Sequence, residues 1–380
     1  MELETGGKRL FRMHRFFPVH SAARWDILTS PGAIPQKTTD LSTDGNEKPM
    51  LSQLLQPANT ILLQAIGKLF LISLLGYGAV RLRILSGQAV ASLSKFVLAI
   101  SLPCLIIATL GRELQYSLLP QMGLCLVAAL VLNLSGLLIA LAGRGIILKK
   151  EQPGQRLFLS LSSLQNSGYL PIPLVTAVLP EGLQASGLLF IFVYMLVMGL
   201  IFWSFGILLV GRNHAPGNLR QQLKNMANPP LLVTLASLFF LFPPVKSALS
   251  ALPLLQDTLT AVGETTIPLV LIVLGGSLAE KLPPLDRGKI MIAGSCAIKM
   301  LLIPALTLLA ITAVRPEPVF AFVLLLESTM PAALNHIVVA REYGGDVPLT
   351  SRALLVQYLL ALFTVPLFLI LANLLFSLPV

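Results

Sequence analysis

Two short segments place polar residues, glycine and proline inside stretches that are otherwise apolar enough to cross a membrane. They are residues 164–174, LQNSGYLPIPL, and residues 327–336, ESTMPAALNH. Proline lacks a backbone N–H and clashes with the preceding turn, so each segment is predicted to break a helix. Hydrocarbon cannot satisfy the backbone groups that a break frees, so protein, water or a ligand must do so. Broken helices of this kind are typical of solute sites in secondary transporters.

The two breaks contain the candidate binding residues. A half-helix presents free amides and a partial positive charge at its N-terminus, which attract anions. An asparagine adds a neutral donor without the cost of burying a full charge. The alternative for an intramembrane asparagine is a hydrogen bond that only packs helices, worth about 0.6 kcal/mol. Asn166 lies shortly before a proline that recurs in the second half of the chain. This position favours substrate binding over a role in helix packing alone. The predicted substrate-binding residues are Asn166, Ser167, Gly168, Pro171, Pro173, Thr329, Pro331 and Asn335.

Composition predicts an all-α polytopic membrane protein. Hydrophobic residues make up 55% of the chain, charged residues 12%, and the mean hydropathy is +0.81. Soluble domains carry about 25% charged residues. A spanning helix needs about 20 apolar residues, and the chain supplies ten such segments. The predicted spans are residues 58–80, 88–110, 118–142, 157–179, 185–210, 229–243, 258–280, 288–313, 318–340 and 350–377.

Lysine and arginine predict the orientation of these spans, because cytoplasmic loops retain them. Fourteen of them follow odd-numbered spans, and only Arg112, Lys246 and Arg315 follow even-numbered ones. The loops after odd-numbered spans should therefore be cytoplasmic, and both ends of the ten-span unit should lie outside the cell. The predicted location is the plasma or inner membrane. The net charge of +10 is then explained by loops beside anionic lipid and by the N-terminal region, and does not indicate nucleic-acid binding.

The N-terminal region, residues 1–57, is basic and lacks the apolar run of a signal peptide. One interpretation is a disordered tail without helical periodicity. The other is that translation starts at Met50, and the uncharged residues that follow it, LSQLLQ, favour this second interpretation.

Internal repetition predicts two halves. The sequence SLP at residues 101–103 is echoed by TIP at 266–268, and Leu170-Pro171 by Met330-Pro331, with offsets of 165 and 160 residues. These offsets divide the chain into a first repeat, 58–210, a short cytoplasmic loop, 211–228, and a second repeat, 229–380. Because five helices is an odd number, the second half must enter the membrane the opposite way up, which gives an inverted repeat.

Ionisable residues inside the spans are candidates for ion coupling, since each costs at least about 2.5–3.5 kcal/mol at a helix centre unless it is paired or hydrated. Glu264 and Glu327 each precede a repeated proline by four residues. Near helix ends either could simply be hydrated. Lys95 lies where snorkelling to the interface is expected. His336 could titrate or could only bond a freed carbonyl. Lys68 and Lys299 are the remaining candidates inside the spans.

Several of these residues resemble the auxin efflux carrier (PIN-like) family. The resemblance rests on Phe96-Val97 before Pro103, on LQN at 164–166 with IPL at 172–174, on Leu274-Gly275, and on Met330-Pro331 leading to AREYG at 340–344. It covers roughly residues 58–377. The short loop at 211–229 resembles bacterial members, which lack the large regulatory loop of plant carriers.

The resemblance implies a scaffold domain of spans 1, 2, 6 and 7 and a transport domain of spans 3–5 and 8–10, with broken spans 4 and 9 crossing. It implies that Pro173 and Pro331 lie around the crossover and that Asn166 contacts a substrate carboxylate. The predicted function is secondary transport of a small organic anion, auxin-like or another carboxylate, by alternating access. Export is the direction that the family favours, and a homodimer through the scaffold helices is implied.

Two other classes remain open at this stage. A sodium- or proton-coupled symporter or antiporter of related inverted-repeat fold would share these features, and so would a channel or receptor. A membrane-embedded enzyme is disfavoured, because neither a Gly-x-Ser-x-Gly elbow nor paired intramembrane aspartates occur. The histidines are scattered and the cysteines have no paired spacing, so no cofactor or metal site is predicted.

Overall fold

The computed structural model describes residues 57–148, 154–211, 228–279 and 288–375. The predicted tail, the start at Met50 and nearly all of the predicted loop at 211–228 lie outside these ranges. Within them the chain is helical and forms no strand beyond one isolated bridge. The helices are α1 Pro57–Arg81, α2 Gly87–Glu113, α3 Tyr116–Ile147, α4 Gln155–Ser163, α5 Pro171–Val178, α6 Glu181–Val210, α7 Pro229–Leu241, α8 Pro243–Ser250, α9 Pro253–Leu278, α10 Lys289–Val314, α11 Pro318–Thr329, α12 Asn335–Glu342 and α13 Val347–Leu375.

Seven of the helices in the described ranges are long and apolar enough to cross a membrane, and an eighth span results if α7 and α8 are taken together. These two helices meet at an angle of 104°. The prediction of a polytopic all-α membrane protein is therefore confirmed. In the pairs α4/α5 and α11/α12, the helix on each side of the break is too short to cross a membrane alone. The count of ten spans and the inverted repeat stay predictions.

Helix starts follow from local chemistry. Proline occupies the first turn of α7, α8, α9 and α11, where its missing N–H would have no partner in any case. The Asn228 side chain accepts a hydrogen bond from the Leu231 amide at 3.0 Å and caps α7. The Glu317 carboxylate accepts from the amides of Val319 and Phe320 and caps α11. These caps satisfy amides that a helix leaves orphaned at its start.

Three of the long helices contain a π-helical turn, at residues 97–101 in α2, 202–206 in α6 and 297–302 in α10. In α2 and α10 the turn is followed by Pro103 and Pro304, which cannot donate to the helical ladder. Such bulges often occur at functional sites. The turns in α2 and α6 border the cavity described below, and the turn in α10 carries Lys299.

Helices α1, α2, α7 and α9 pack on one another, and glycines bring α1 and α9 into backbone contact. A Cβ atom at Gly275 would overlap the Ser73 carbonyl oxygen, and one at Gly76 would overlap that of Ile272. Small residues at helix interfaces allow this close approach in membranes, where packing replaces the hydrophobic effect as the driving force. These four helices are the scaffold set that the resemblance implies.

Replacement of Gly275 by valine is expected to lower the stability of the protein by at least about 1–3 kcal/mol, because the new side chain must displace the α1 backbone. The measurement is thermal unfolding of the purified protein in detergent. Gly78→Val is the matched control, since Gly78 lies on α1 and a Cβ atom there would have no described neighbour within 4 Å. Equal melting temperatures for the two variants would contradict the close packing of α1 and α9.

The remaining helices pack around the two breaks. Helix α3 lies against α4 and α6, α11 lies against α6, α10 and α13, and α10 lies against α4. The Phe190 and Phe320 rings meet edge to face at 5.5 Å between α6 and α11. The interrupted segments therefore have protein on several sides, as membrane-buried irregular backbone requires.

Candidate functional site

The two breaks meet and hydrogen-bond to each other. The Asn166 amide donates to the Pro331 carbonyl at 2.8 Å, and the Ala333 amide donates to the Leu164 carbonyl at 3.1 Å. Gln165 and Ala332 form an antiparallel bridge between them. Each break thus provides hydrogen-bond partners for backbone amides and carbonyls that the other break leaves without helical partners. Irregular backbone inside a membrane requires such partners.

A glutamine from α13 completes this arrangement. Gln357 Oε1 accepts from the Ala332 amide at 2.8 Å, and its Nε2 donates to the Leu161 carbonyl at 3.2 Å. One side-chain amide therefore joins both interrupted helices to α13. The sequence signal for this role is a lone glutamine within an apolar span, since a polar side chain in a membrane needs a partner.

The Asn166 side chain stabilises the first break through three hydrogen bonds. Its Oδ1 accepts from the amides of Gly168 at 3.2 Å and Tyr169 at 3.0 Å, and its Nδ2 donates to the Tyr358 hydroxyl at 2.6 Å. The side chain is 3% exposed. Its Oδ1 and one hydrogen of its Nδ2 already form hydrogen bonds within the protein, so only the second Nδ2 hydrogen is left for a ligand.

A cavity of about 160 Å³ lies beside the crossover. It is comparable in volume with an apolar cavity of about 150 Å³ that binds benzene in another protein. Its wall is formed by residues of both breaks together with residues of α2, α6, α7 and α9. Of the predicted binding residues, Asn166, Ser167, Gly168 and Asn335 line it. Tyr169 lines it as well and was not predicted; its hydroxyl is 2.7 Å from Ser94 Oγ.

Asn335 is a polar residue of this wall that the helices do not fully bury. It is half-buried, and its side chain makes no hydrogen bond within the described ranges. It begins α12, so the amides of Leu334 and Asn335 have no intrahelical partner by position. None of the cavity-lining residues that the structure describes carries a charge. Neutral donors and a helix N-terminus therefore supply the polarity of the site.

The other four predicted binding residues frame the cavity without lining it. Pro331 lies in the second break, and Pro171 starts α5. Thr329 ends α11 and donates its hydroxyl to the Leu326 carbonyl at 2.7 Å. Pro173 lies within the first turn of α5, directly after the first break, and its role at the crossover stays a prediction. Pro171 therefore marks the start of the half-helix, and Pro173 is one of its buried residues.

The four predicted coupling residues lie in different environments. Lys95 and Glu264 are exposed on α2 and α9, away from the crossover cavity. His336 is buried, its Nδ1 is 2.6 Å from the Ala333 carbonyl, and its Nε2 is 2.8 Å from Ser160 Oγ. Because a carbonyl only accepts, the Nδ1 proton is assigned to this bond. Glu327 is buried at the end of α11 and differs in this from Glu264, its expected equivalent.

No group of three or more His, Cys, Asp and Glu side chains in the described ranges could hold a metal ion. The partners of Gln357, Tyr358 and Tyr194 were not predicted from the sequence. The tyrosines carry a hydroxyl that needs a hydrogen-bond partner when buried, and this is the signal that could have singled them out.

Comparisons with known proteins agree with this architecture. The model of the Mem_trans family, described as membrane transport protein, matches residues 61–369. Uncharacterized transporter MJ1031 of Methanocaldococcus jannaschii is 26% identical over 299 residues, which cover 77% of this chain and 93% of that protein.

Two plant proteins match a shorter region. Protein PIN-LIKES 1 and Protein PIN-LIKES 7 of Arabidopsis thaliana are each 28% identical over 116 residues, or 29% of this chain. The match spans 25% and 29% of their lengths. The resemblance to the auxin efflux carrier family is confirmed. The chain belongs to the Mem_trans family of membrane transport proteins, which includes the PIN-like carriers.

Proposed function

We propose that this membrane transporter is a secondary carrier that exports a small organic anion, auxin-like or another carboxylate, by alternating access at the crossover. The observation that carries the proposal is the cavity, which the two breaks share with α2, α7 and α9. A site between two groups of helices can open to either side when one group moves against the other, as in other broken-helix carriers.

The chemistry of the cavity favours an anion. The N-terminus of α12 contributes the Asn335 side chain and amide to the wall, and Asn166 in the first break has one donor hydrogen left for a ligand. Such donors bind a carboxylate without a fully charged partner. Apolar residues, including Met195, Phe202 and Trp203, supply most of the remaining wall and suit an organic substituent.

We also propose that ten helices form two inverted repeats. The loops after odd-numbered spans would then be cytoplasmic, and both ends of the ten-helix unit would lie outside the cell. The first repeat would span 58–210 and the second 229–380. A homodimer would use the scaffold helices. Export is proposed from the resemblance alone, since the gradients of the anion and of any coupled ion decide the direction of net flux in a secondary carrier.

The test is counterflow in proteoliposomes that contain the purified full-length protein, with radiolabelled indole-3-acetate, malonate and malate as probes. We expect that one carboxylate accumulates transiently when the same unlabelled anion is trapped inside, and that its initial rate saturates. Protein-free liposomes and the uncharged amide of the same compound are the controls. Counterflow does not depend on net charge movement, so an electroneutral cycle would still be detected.

Two outcomes would contradict the proposal. Flux that rises linearly with concentration, at rates far above about 10³ per second, would indicate a channel. Equal counterflow of the carboxylate and its uncharged amide would show that the site does not select an anion.

A further inference from the structure

A cluster of buried polar side chains lies directly behind the cavity wall. Lys299 Nζ, on α10, donates to Gln165 Oε1 at 3.1 Å. The Tyr194 hydroxyl, on α6, accepts from Gln165 Nε2 and from Asn133 Nδ2, the latter at 3.2 Å. All four side chains are at most 2% exposed. Because Gln165 also lines the cavity, it connects the ammonium group of Lys299 to the proposed substrate site.

Glu327 belongs to the same cluster and is its carboxylate. It is 0% exposed, and neither carboxylate oxygen has a hydrogen-bond partner within the part of the chain that the structure describes. The Ser167 hydroxyl faces the carboxylate without completing a hydrogen bond. Ser167 lines the cavity, so it connects Glu327 to the substrate site as Gln165 connects Lys299.

The charged and titratable groups that act on Glu327 come from three other helices. They are Lys299 on α10, Tyr194 on α6 and Cys125 on α3. Only Lys299 among them is a base. Its Nζ donates to Gln165 and forms no ion pair with Glu327 in the described structure, so direct contact with the ammonium group does not neutralise the carboxylate.

An ionised carboxylate at this depth without hydrogen bonds is strongly disfavoured, so the group must take up a positive charge. A metal cation would be repelled by the neighbouring ammonium group, and this repulsion is strong in a low-dielectric interior. A proton neutralises the carboxylate itself and gives it an O–H that can be donated to Ser167. The composition of the cluster therefore favours a proton over a metal ion.

We propose that Glu327 is an exchangeable proton site of the carrier and that Lys299 links its protonation to anion binding. The linkage rests on the proposed anion transport; the proton site itself does not.

The direction of the linkage follows from charge. With Glu327 ionised, the carboxylate offsets the ammonium of Lys299, and the cavity senses little positive potential. When water in the cavity delivers a proton to Glu327, the buried ammonium of Lys299 loses its counter-charge, and an anion bound in the cavity replaces it. The anion in turn favours protonation to the same extent, since coupling between two sites is reciprocal. A monovalent anion and the proton then cross together without net charge.

The proton site is tested without a substrate by infrared difference spectroscopy of the purified full-length protein between acidic and alkaline buffers. We expect a carbonyl-stretch band of a protonated carboxylic acid that is lost in Glu327→Gln and displaced in Glu327→Asp. Glu264→Gln, which removes an exposed carboxylate, is the matched control and should retain the band. A band that persists in Glu327→Gln would overturn the proposal. So would thermal stabilisation by sodium over potassium that Glu327→Gln abolishes, because it would identify a metal ion.

The linkage is tested by counterflow at several pH values, with indole-3-acetate and malonate as probes. We expect the wild-type affinity for the anion to weaken about fivefold or more as pH rises, within the usual range of coupling. Glu327→Gln should keep the acidic-pH affinity at every pH, and Lys299→Gln should bind weakly at every pH. A parallel pH dependence in wild type and Glu327→Gln would overturn the linkage. Absence of transport by the wild type would count against the proposed function only, since the infrared band reports the proton site separately.

Discussion

Replacement of Asn166 by alanine is expected to reduce anion transport at least tenfold and to lower the melting temperature of the protein. The change removes the acceptor for the Gly168 and Tyr169 amides and the donor to the Tyr358 hydroxyl. A buried polar group left without a partner costs about 1–3 kcal/mol, and several are left here at once. The measurements are counterflow in proteoliposomes and thermal unfolding in detergent.

Asn166→Asp separates the structural from the binding role of this residue. Aspartate keeps an acceptor for the two amides and can accept from Tyr358, so we expect much of the stability to be retained. Its charge faces the cavity, so transport of anions should still fall. Wild-type transport in Asn166→Asp would mean that the side chain only shapes the break, and wild-type behaviour in Asn166→Ala would contradict both roles.

Asn335→Ala is expected to raise KM for the transported anion about tenfold or more while leaving the melting temperature unchanged. The side chain lines the cavity and makes no other hydrogen bond in the described ranges, so its removal leaves no protein group unpaired. A hydrogen bond to a charged group contributes about 1.5–3 kcal/mol, which sets the size of the effect. KM and kcat come from initial counterflow rates, with the melting temperature measured on the same preparation.

Val338→Ala is the matched control, because Val338 lies one turn further along α12 with an exposed side chain. It should leave KM unchanged. If Asn335→Ala lowered kcat and stability together without a change in KM, the residue would pack α12, and the anion site would lie elsewhere.

The breaks and most span boundaries could be predicted because both depend on local sequence. Pro171 and Pro331 interrupt apolar segments, and the helices observed there end at Ser163 and Thr329 and restart at Pro171 and Asn335. Missing N–H groups and the length of a membrane span act within a few residues of the chain. The bend between α7 and α8 was not predicted, although Pro243 and Pro244 mark it.

The pairing of side chains across the fold could not be predicted. Gln357 contacts Leu161, and Lys299 contacts Gln165, across separations of 196 and 134 residues. The repeat made Glu264 and Glu327 look equivalent, yet burial separates them, because α9 faces outward at Glu264 while α11 is enclosed at Glu327. Sequence spacing gives the position of a residue on its own helix, whereas the packing of other helices decides its surroundings.

Alternating access is tested most directly by asking whether a reagent reaches the crossover cavity from each side of the membrane in turn. Asn335→Cys, in a protein whose Cys104, Cys125 and Cys296 are replaced by alanine, would be exposed to a membrane-impermeant thiol reagent from either face of proteoliposomes. We expect labelling from both faces, and we expect the transported anion to slow it. A substrate gradient that favours one face should reduce labelling from the other. Labelling from one face alone under every gradient, or labelling that the anion leaves unchanged, would contradict alternating access at this site.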